Sequence, residues 1–135
     1  MSFFKIKLRK TDGLWTQHIR IQDKYTCQRC GRVYSPDDCQ NLGVSHYWGR
    51  WHENTRFDDD NCSALCTLPC HPLWAEEDRD EYKAFMIKCL GQTGYDLLEY
   101  RKNIYKKRDD KADLIILKEL LKQETAGALI EPNNT

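Results

Sequence analysis

The chain has 135 residues, 40% hydrophobic and 31% charged, with 21 Lys/Arg against 21 Asp/Glu. That size suits one compact domain with a modest core and leaves no room for a second. The opening MSFFKIKLRK lacks a secretory signal's apolar core and no run nears the ~18 residues that span a bilayer, so no membrane partner is expected and the expected setting is cytoplasmic.

Residues 12 to 23 (DGLWTQHIRIQD) space Leu14, Trp15, His18, Ile19 and Gln22 by three and four, the pattern of a short amphipathic helix. His18 falls beside that stripe and reads as a packed or hydrogen-bonded histidine rather than a ligand. CQRCGRVY follows, with Gly31 allowing the tight backbone of a metal knuckle. NLGVSHYW alternates Leu42, Val44 and His46 on one face, as a short strand does. GRWHENTRFDDD (49–60) reads as a polar loop, CSALC as a second strand, and His71-Pro72 as a helix start, because proline is tolerated in the first turn. Residues 79 to 91 align Tyr82, Phe85, Met86, Cys89 and Leu90 on one helical face, which makes Cys89 a core residue and Gly91 the stop. In DDKADLIILKELLKQ, Asp110 and Asp113 open a last helix whose Leu114, Leu117, Leu120 and Leu121 suit packing on the domain or on a second copy of the chain. The closing GALIEPNNT reads as a frayed end.

Charge is unevenly spread. Residues 1–34 hold eight Lys/Arg against two Asp/Glu, and residues 35–81 hold three against eleven, so a basic arm suited to phosphates adjoins an acidic middle suited to a cation. Seven cysteines, an odd count, fit thiols kept reduced better than a disulfide framework, and metal binding becomes the expected use. Cys27 and Cys30 form a CxxC, and Cys66 and Cys70 a CxxxC further on, the make-up of a tetrahedral four-thiolate zinc site. Such a closed shell leaves no position for water, so the zinc is structural. Cys39 and Cys62 are spare, with Cys62 a competing fourth ligand.

Between and beside those pairs stand His46, then Asn61, then His71. With the CxxC ahead and LCTLPCH at the end, this order resembles the HNH endonuclease family. More specifically, LWTQHIRIQDKYTCQRCG, the SHY triplet, TRFDDDN, the LC…CH ending and LGQTGYDLLEYRKN look like the phage recombination nucleases of the NinG/Rap kind, over about two thirds of the chain. Two features depart from that pattern. Three residues separate Cys66 from Cys70 where the family has two, and Ser45 stands where many HNH enzymes place a metal-binding Asp.

The resemblance implies an α+β fold: a small zinc-stapled ββα-metal core (the HNH or His-Me finger) with additional flanking α-helices. It implies a metal-dependent DNA endonuclease, phage-encoded and acting in recombination or DNA processing, in the host cytoplasm, with branched DNA as one substrate. Residues 1–103 would form the zinc-knuckle nuclease domain and 104–135 a helical extension and tail, which a homodimer could use. His46 would be the general base, since a neutral imidazole accepts water's proton near neutral pH. Asn61 would hydrogen-bond the loop and so aim His46. His71 would hold one catalytic divalent cation, Mg²⁺ or Mn²⁺, with His52 or Glu53 as candidates to complete its shell. Arg50, Arg56, Lys102, Lys106 and Lys107 would meet DNA phosphates, a role for which guanidinium geometry is suited; the plain alternative for Arg50 and Arg56 is pairing with Asp58 to Asp60. A competing reading is a non-catalytic zinc module binding nucleic acid through Lys5, Lys7, Arg9 and Lys10 and through the cluster Arg101, Lys102, Lys106, Lys107 and Arg108. A third makes the zinc knuckle a scaffold for a last helix that binds a partner.

Overall fold

The computed structural model describes residues 7–105 and 107–130, with side chains as far as residue 126. Helix α1 (Lys10–Gln22) begins where the Asp12 carboxylate accepts the backbone N–H of Arg9 at 2.7 Å, an acidic group well placed in the positive first turn. Its stripe buries Trp15, His18 and Ile19. The helix ends in two consecutive left-handed residues, Lys24 (φ 55°) and Tyr25 (φ 54°), which swing the chain into the cysteine knuckle. There Gly31 sits at φ 80°, a conformation that costs a side-chain-bearing residue energy.

Strands β1 (Leu42–His46) and β2 (Cys62–Cys66) pair antiparallel, with Leu42 opposite Cys66 and His46 opposite Cys62. Alternate residues of a strand face opposite sides, and the contacts identify them. The Trp15 indole N–H of α1 meets the Cys62 sulfur at 3.3 Å, while the Tyr82 hydroxyl donates to Ser45 at 2.9 Å from the other side. The outer edge of β2 is covered as well: the Ala64 N–H donates to the Asp23 carboxylate and its carbonyl accepts from Gln28 N–H. That leaves no open ladder there for another chain to extend.

The expected polar loop after β1 contains two 3-10 turns, Glu53–Thr55 and Asp59–Asn61. After β2, the short helix α2 (Cys70–Pro72) runs through a π-helical turn (Leu73–Glu77) into α3 (Arg79–Asn103), which the Asp78 carboxylate caps by accepting the Glu81 N–H at 3.0 Å. Gly91 does leave helical geometry, at φ 74° and ψ 165°, yet the helix resumes at once and continues to Asn103 rather than stopping. Glycine supplies the break, and Tyr95 and Leu98, both buried, hold the second half on the domain. Tyr47, Trp74 and Tyr82 stack edge and face at 4.7–4.9 Å, with the Arg79 guanidinium 4.2 Å from the Tyr47 ring centroid. Cys89, expected in the core, is exposed; Tyr82 and Met86 form the buried stripe and Cys89 lies off it.

Helix α4 (Asp110–Ile130) packs along α1. Leu117 is buried and Leu114, Leu120 and Leu121 are half-buried, whereas Ile115 and Ile116 are exposed. The leucine stripe is thus used within the chain. The segment from Gly127 to Ile130, expected to fray, continues the helix; residues 131–135 lie outside the described part, as do Lys5 and Lys106. The architecture is α+β, with one two-stranded sheet held between helices and a tetracysteine cluster at one end. No described helix is long and apolar enough to cross a membrane.

Candidate metal centre and histidine site

The knuckle and the end of β2 bring the Cys27, Cys30, Cys66 and Cys70 sulfurs within 4.8 Å of one another, with Cys30 and Cys66 at 3.5 Å. Zn–S bonds of about 2.3 Å in a tetrahedron put sulfurs about 3.8 Å apart, so the cluster fits a metal ion such as zinc. Four thiolates around a dication leave two net negative charges, and donors surround them. Cys30 N–H and Cys66 N–H point at the Cys27 sulfur (3.5 and 3.3 Å), the Tyr34 hydroxyl donates to Cys66 (3.1 Å), and the Arg29 guanidinium lies 3.7 Å from Cys70. Burial opposes ionisation of Cys27, but those backbone N–H bonds outweigh it and bring its thiol down to about 7. Cys62 is not a fifth member. It lies one face away under Trp15, where burial holds its thiol far above the usual range. Among the described residues, this is the only group of three or more Cys, His, Asp or Glu side chains close enough to share an ion.

Asn61 is fully buried at the start of β2 and fastens the loop that returns from β1. Its Oδ1 accepts Trp48 N–H (2.8 Å), and its Nδ2 donates to the carbonyls of Trp48 (2.8 Å) and Thr55 (3.0 Å). In the same loop the Arg56 carbonyl lies 2.9 Å from His46 Nε2. A carbonyl only accepts, so Nε2 carries the proton and Nδ1 keeps its lone pair. Burial, then the Arg50 charge, lowers the His46 pKa to about 4 and keeps the ring neutral. His71, at the start of α2, is half-buried and makes no hydrogen bond among the described residues; burial and then Arg50 lower its pKa too, with Glu76 opposing. The Arg50 charge therefore acts on both histidines, one from β1 and one from α2.

Other expected residues are engaged elsewhere. The Arg56 side chain is 2% exposed, and its guanidinium is held by both oxygens of Asp12, the Glu53 carboxylate and the carbonyls of Lys7 and Arg50, so it braces the frame instead of facing solvent phosphate. Glu53 meets Arg9 through two bonds (2.9 and 2.8 Å) as well as Arg56, which leaves it an ion-pair partner and not a free ligand. Ser45 is buried and accepts the Tyr82 hydroxyl at 2.9 Å. His52 stands edge-on to Trp48, whose ring also carries the Lys102 ammonium at 4.0 Å. Burial first and Lys102 second lower the His52 pKa. Arg101 is paired to Asp58 and Asp60, and Arg108 to Asp113, while Lys107 is exposed. Sequence reasoning missed Asp12 and Tyr82. Asp12 had the signal of an acid in a helix's first turn, but nothing local pairs it with Arg56. Compared with protein-family models, curated proteins and solved structures, the chain matches none.

Proposed function

We propose that this chain is a metal-dependent DNA endonuclease of the HNH type, with the cysteine cluster as a structural zinc site. The observation that carries this reading is the fastening of His46. Asn61 fixes the loop, the loop carbonyl takes Nε2–H, and an unprotonated Nδ1 remains at the end of a strand beside a cationic side chain. A neutral, fixed imidazole with a free lone pair is one requirement of a general base for water; the other, a pKa nearer the working pH than about 4, would need an anionic substrate to offset the Arg50 charge. Arg50, whose charge acts on His46 and His71 alike, is the candidate to hold a phosphate. Of the side chains expected to hold a catalytic divalent ion, His71 and His52 keep their imidazoles free of hydrogen bonds among the described residues. Glu53 does not fit, and the other positions fall to water and phosphate oxygens. Bound there, a divalent ion would neutralise charge on the departing oxygen. A role in phage recombination rests on the motif resemblance.

The test is cleavage of plasmid, single-stranded and branched DNA with Mg²⁺ or Mn²⁺, by the wild type and by His46→Ala of equal zinc content. Loss of about 10²- to 10⁴-fold in rate is expected for the variant. No metal-dependent cutting of any of these substrates by the folded, zinc-loaded wild type refutes the reading and leaves a zinc module that binds nucleic acid.

A further inference from the structure

A cavity of about 700 Å³ opens between the β1–β2 loop and the chain that leaves α3. Its size lies within the ~300–1,000 Å³ of small-ligand sites. Five cationic residues line it (Lys7, Arg9, Arg50, Arg56 and Lys102) against one carboxylate, Glu53. Arg9 and Arg56 are neutralised by Glu53 and Asp12, so the excess charge comes from Lys7, Arg50 and Lys102. The Arg50 Nε–H is out of solvent and has no hydrogen-bond acceptor among the described residues; Asp12 pairs with it only loosely, at 3.6 Å. A buried donor in that state lacks an acceptor that a phosphate oxygen would supply.

The rest of the lining is unlike an ordinary anion pocket. Trp51 is 63% exposed, Tyr105 89% and Ile104 41%, and Asn103 adds an amide able to read a base edge. Large exposed rings beside a cationic groove are the arrangement on which unpaired bases stack, whereas a duplex keeps its bases inside. The two walls are held at fixed spacing: Asn54 Nδ2 donates to the Arg101 carbonyl (2.9 Å) and Arg108 to the Glu53 carbonyl (3.3 Å). We propose that this cavity binds an unpaired nucleotide of DNA, its base stacked against Tyr105 and Trp51 and its phosphate held by Arg50 and Lys102. On the endonuclease reading, on which this assignment rests, the nucleotide held here would lie near the bond to be cut. The preferred substrate then has single-stranded character next to the cleavage position.

The experiment measures binding of fluorescein-labelled single-stranded DNA and of blunt duplex of the same sequence, by anisotropy, to the full zinc-loaded chain with no divalent ion added. Wild type should prefer the single strand. Tyr105→Ala, at an exposed side chain, should weaken single-strand binding roughly tenfold or more and spare duplex binding, with Tyr105→Phe restoring it. Lys102→Ala should lower the salt dependence of single-strand binding by about 0.7 in log–log slope. Equal single-strand affinity of Tyr105→Ala and wild type, or wild-type preference for duplex, overturns the proposal. The two readings fail separately. Loss of single-strand binding in Tyr105→Ala by a protein that cuts no DNA keeps the cavity and removes the nuclease. Metal-dependent cutting with unchanged binding in the variant does the reverse.

Discussion

Replacing His18 with glutamine removes one cation that ties together three parts of the fold. In the folded chain His18 Nε2 lies 2.7 Å from the Asp59 carboxylate and Nδ1 2.8 Å from that of Glu124, so α1 is joined both to the β1–β2 loop and to α4. The Asp59 hydrogen bond, followed by Glu124 and opposed by burial, raises the pKa from 6.5 to about 8. Asp23, whose own carboxyl is raised mainly by burial, also faces this charge. A raised histidine pKa means that the folded state binds the proton more tightly. The contribution is therefore complete below about pH 6.5 and disappears as pH climbs through about 8. A difference of about 1.5 pH units corresponds to about 2 kcal/mol. Since Asp59 is 54% exposed, solvent screening reduces this toward about 1 kcal/mol. Urea unfolding of wild type and His18→Gln at about pH 5.5 and about pH 9 isolates the effect, because the other titrating groups are common to both proteins. The stability gap between the two proteins should be larger at the lower pH by about 1–2 kcal/mol. A gap that is independent of pH, or that widens on going alkaline, refutes the imidazolium bridge.

Metal analysis of the purified chain should find about one tightly held zinc, and Cys66→Ser should lose both the zinc and cooperative unfolding. A Cys66→Ser protein that unfolds like wild type would remove the structural role of the cluster. Asn61→Ala leaves the Trp48 N–H and the Trp48 and Thr55 carbonyls without their partner, at about 1–3 kcal/mol for each group left buried. Asn61→Asp keeps the Trp48 N–H bond but turns an oxygen toward the two carbonyls, so both variants should lose roughly 3 kcal/mol or more in urea unfolding. A loss under about 1 kcal/mol in either would show that the loop is held by other means.

Local pattern was informative wherever a feature depends on near neighbours in the chain. The alternation of Leu42, Val44 and His46 is a strand, CSALC is its partner, and the stripe through Trp15 and Ile19 is buried on α1. Gly91 does break helical geometry, as a residue without a Cβ readily does, but whether the chain then turns away depends on what Tyr95 and Leu98 can pack against. Cys89 illustrates the same limit. A helical face drawn from spacing is broad, and neighbours in space decide which edge of it is covered; Cys89 fell on the uncovered edge.

The four-thiolate cluster belongs to the sequence, because two short-spaced cysteine pairs bring their sulfurs together whenever the knuckle and the strand end meet. So does the order His46, Asn61, His71. Which charges stay available for a ligand was decided only by tertiary structure. Arg56 and Asp12 find each other across 44 residues of sequence, Glu53 is taken by Arg9, and Arg50 keeps a buried N–H without an acceptor among the described residues. An ion pair forms with whatever opposite charge the fold brings within a few ångströms, and one-dimensional spacing carries no record of that distance.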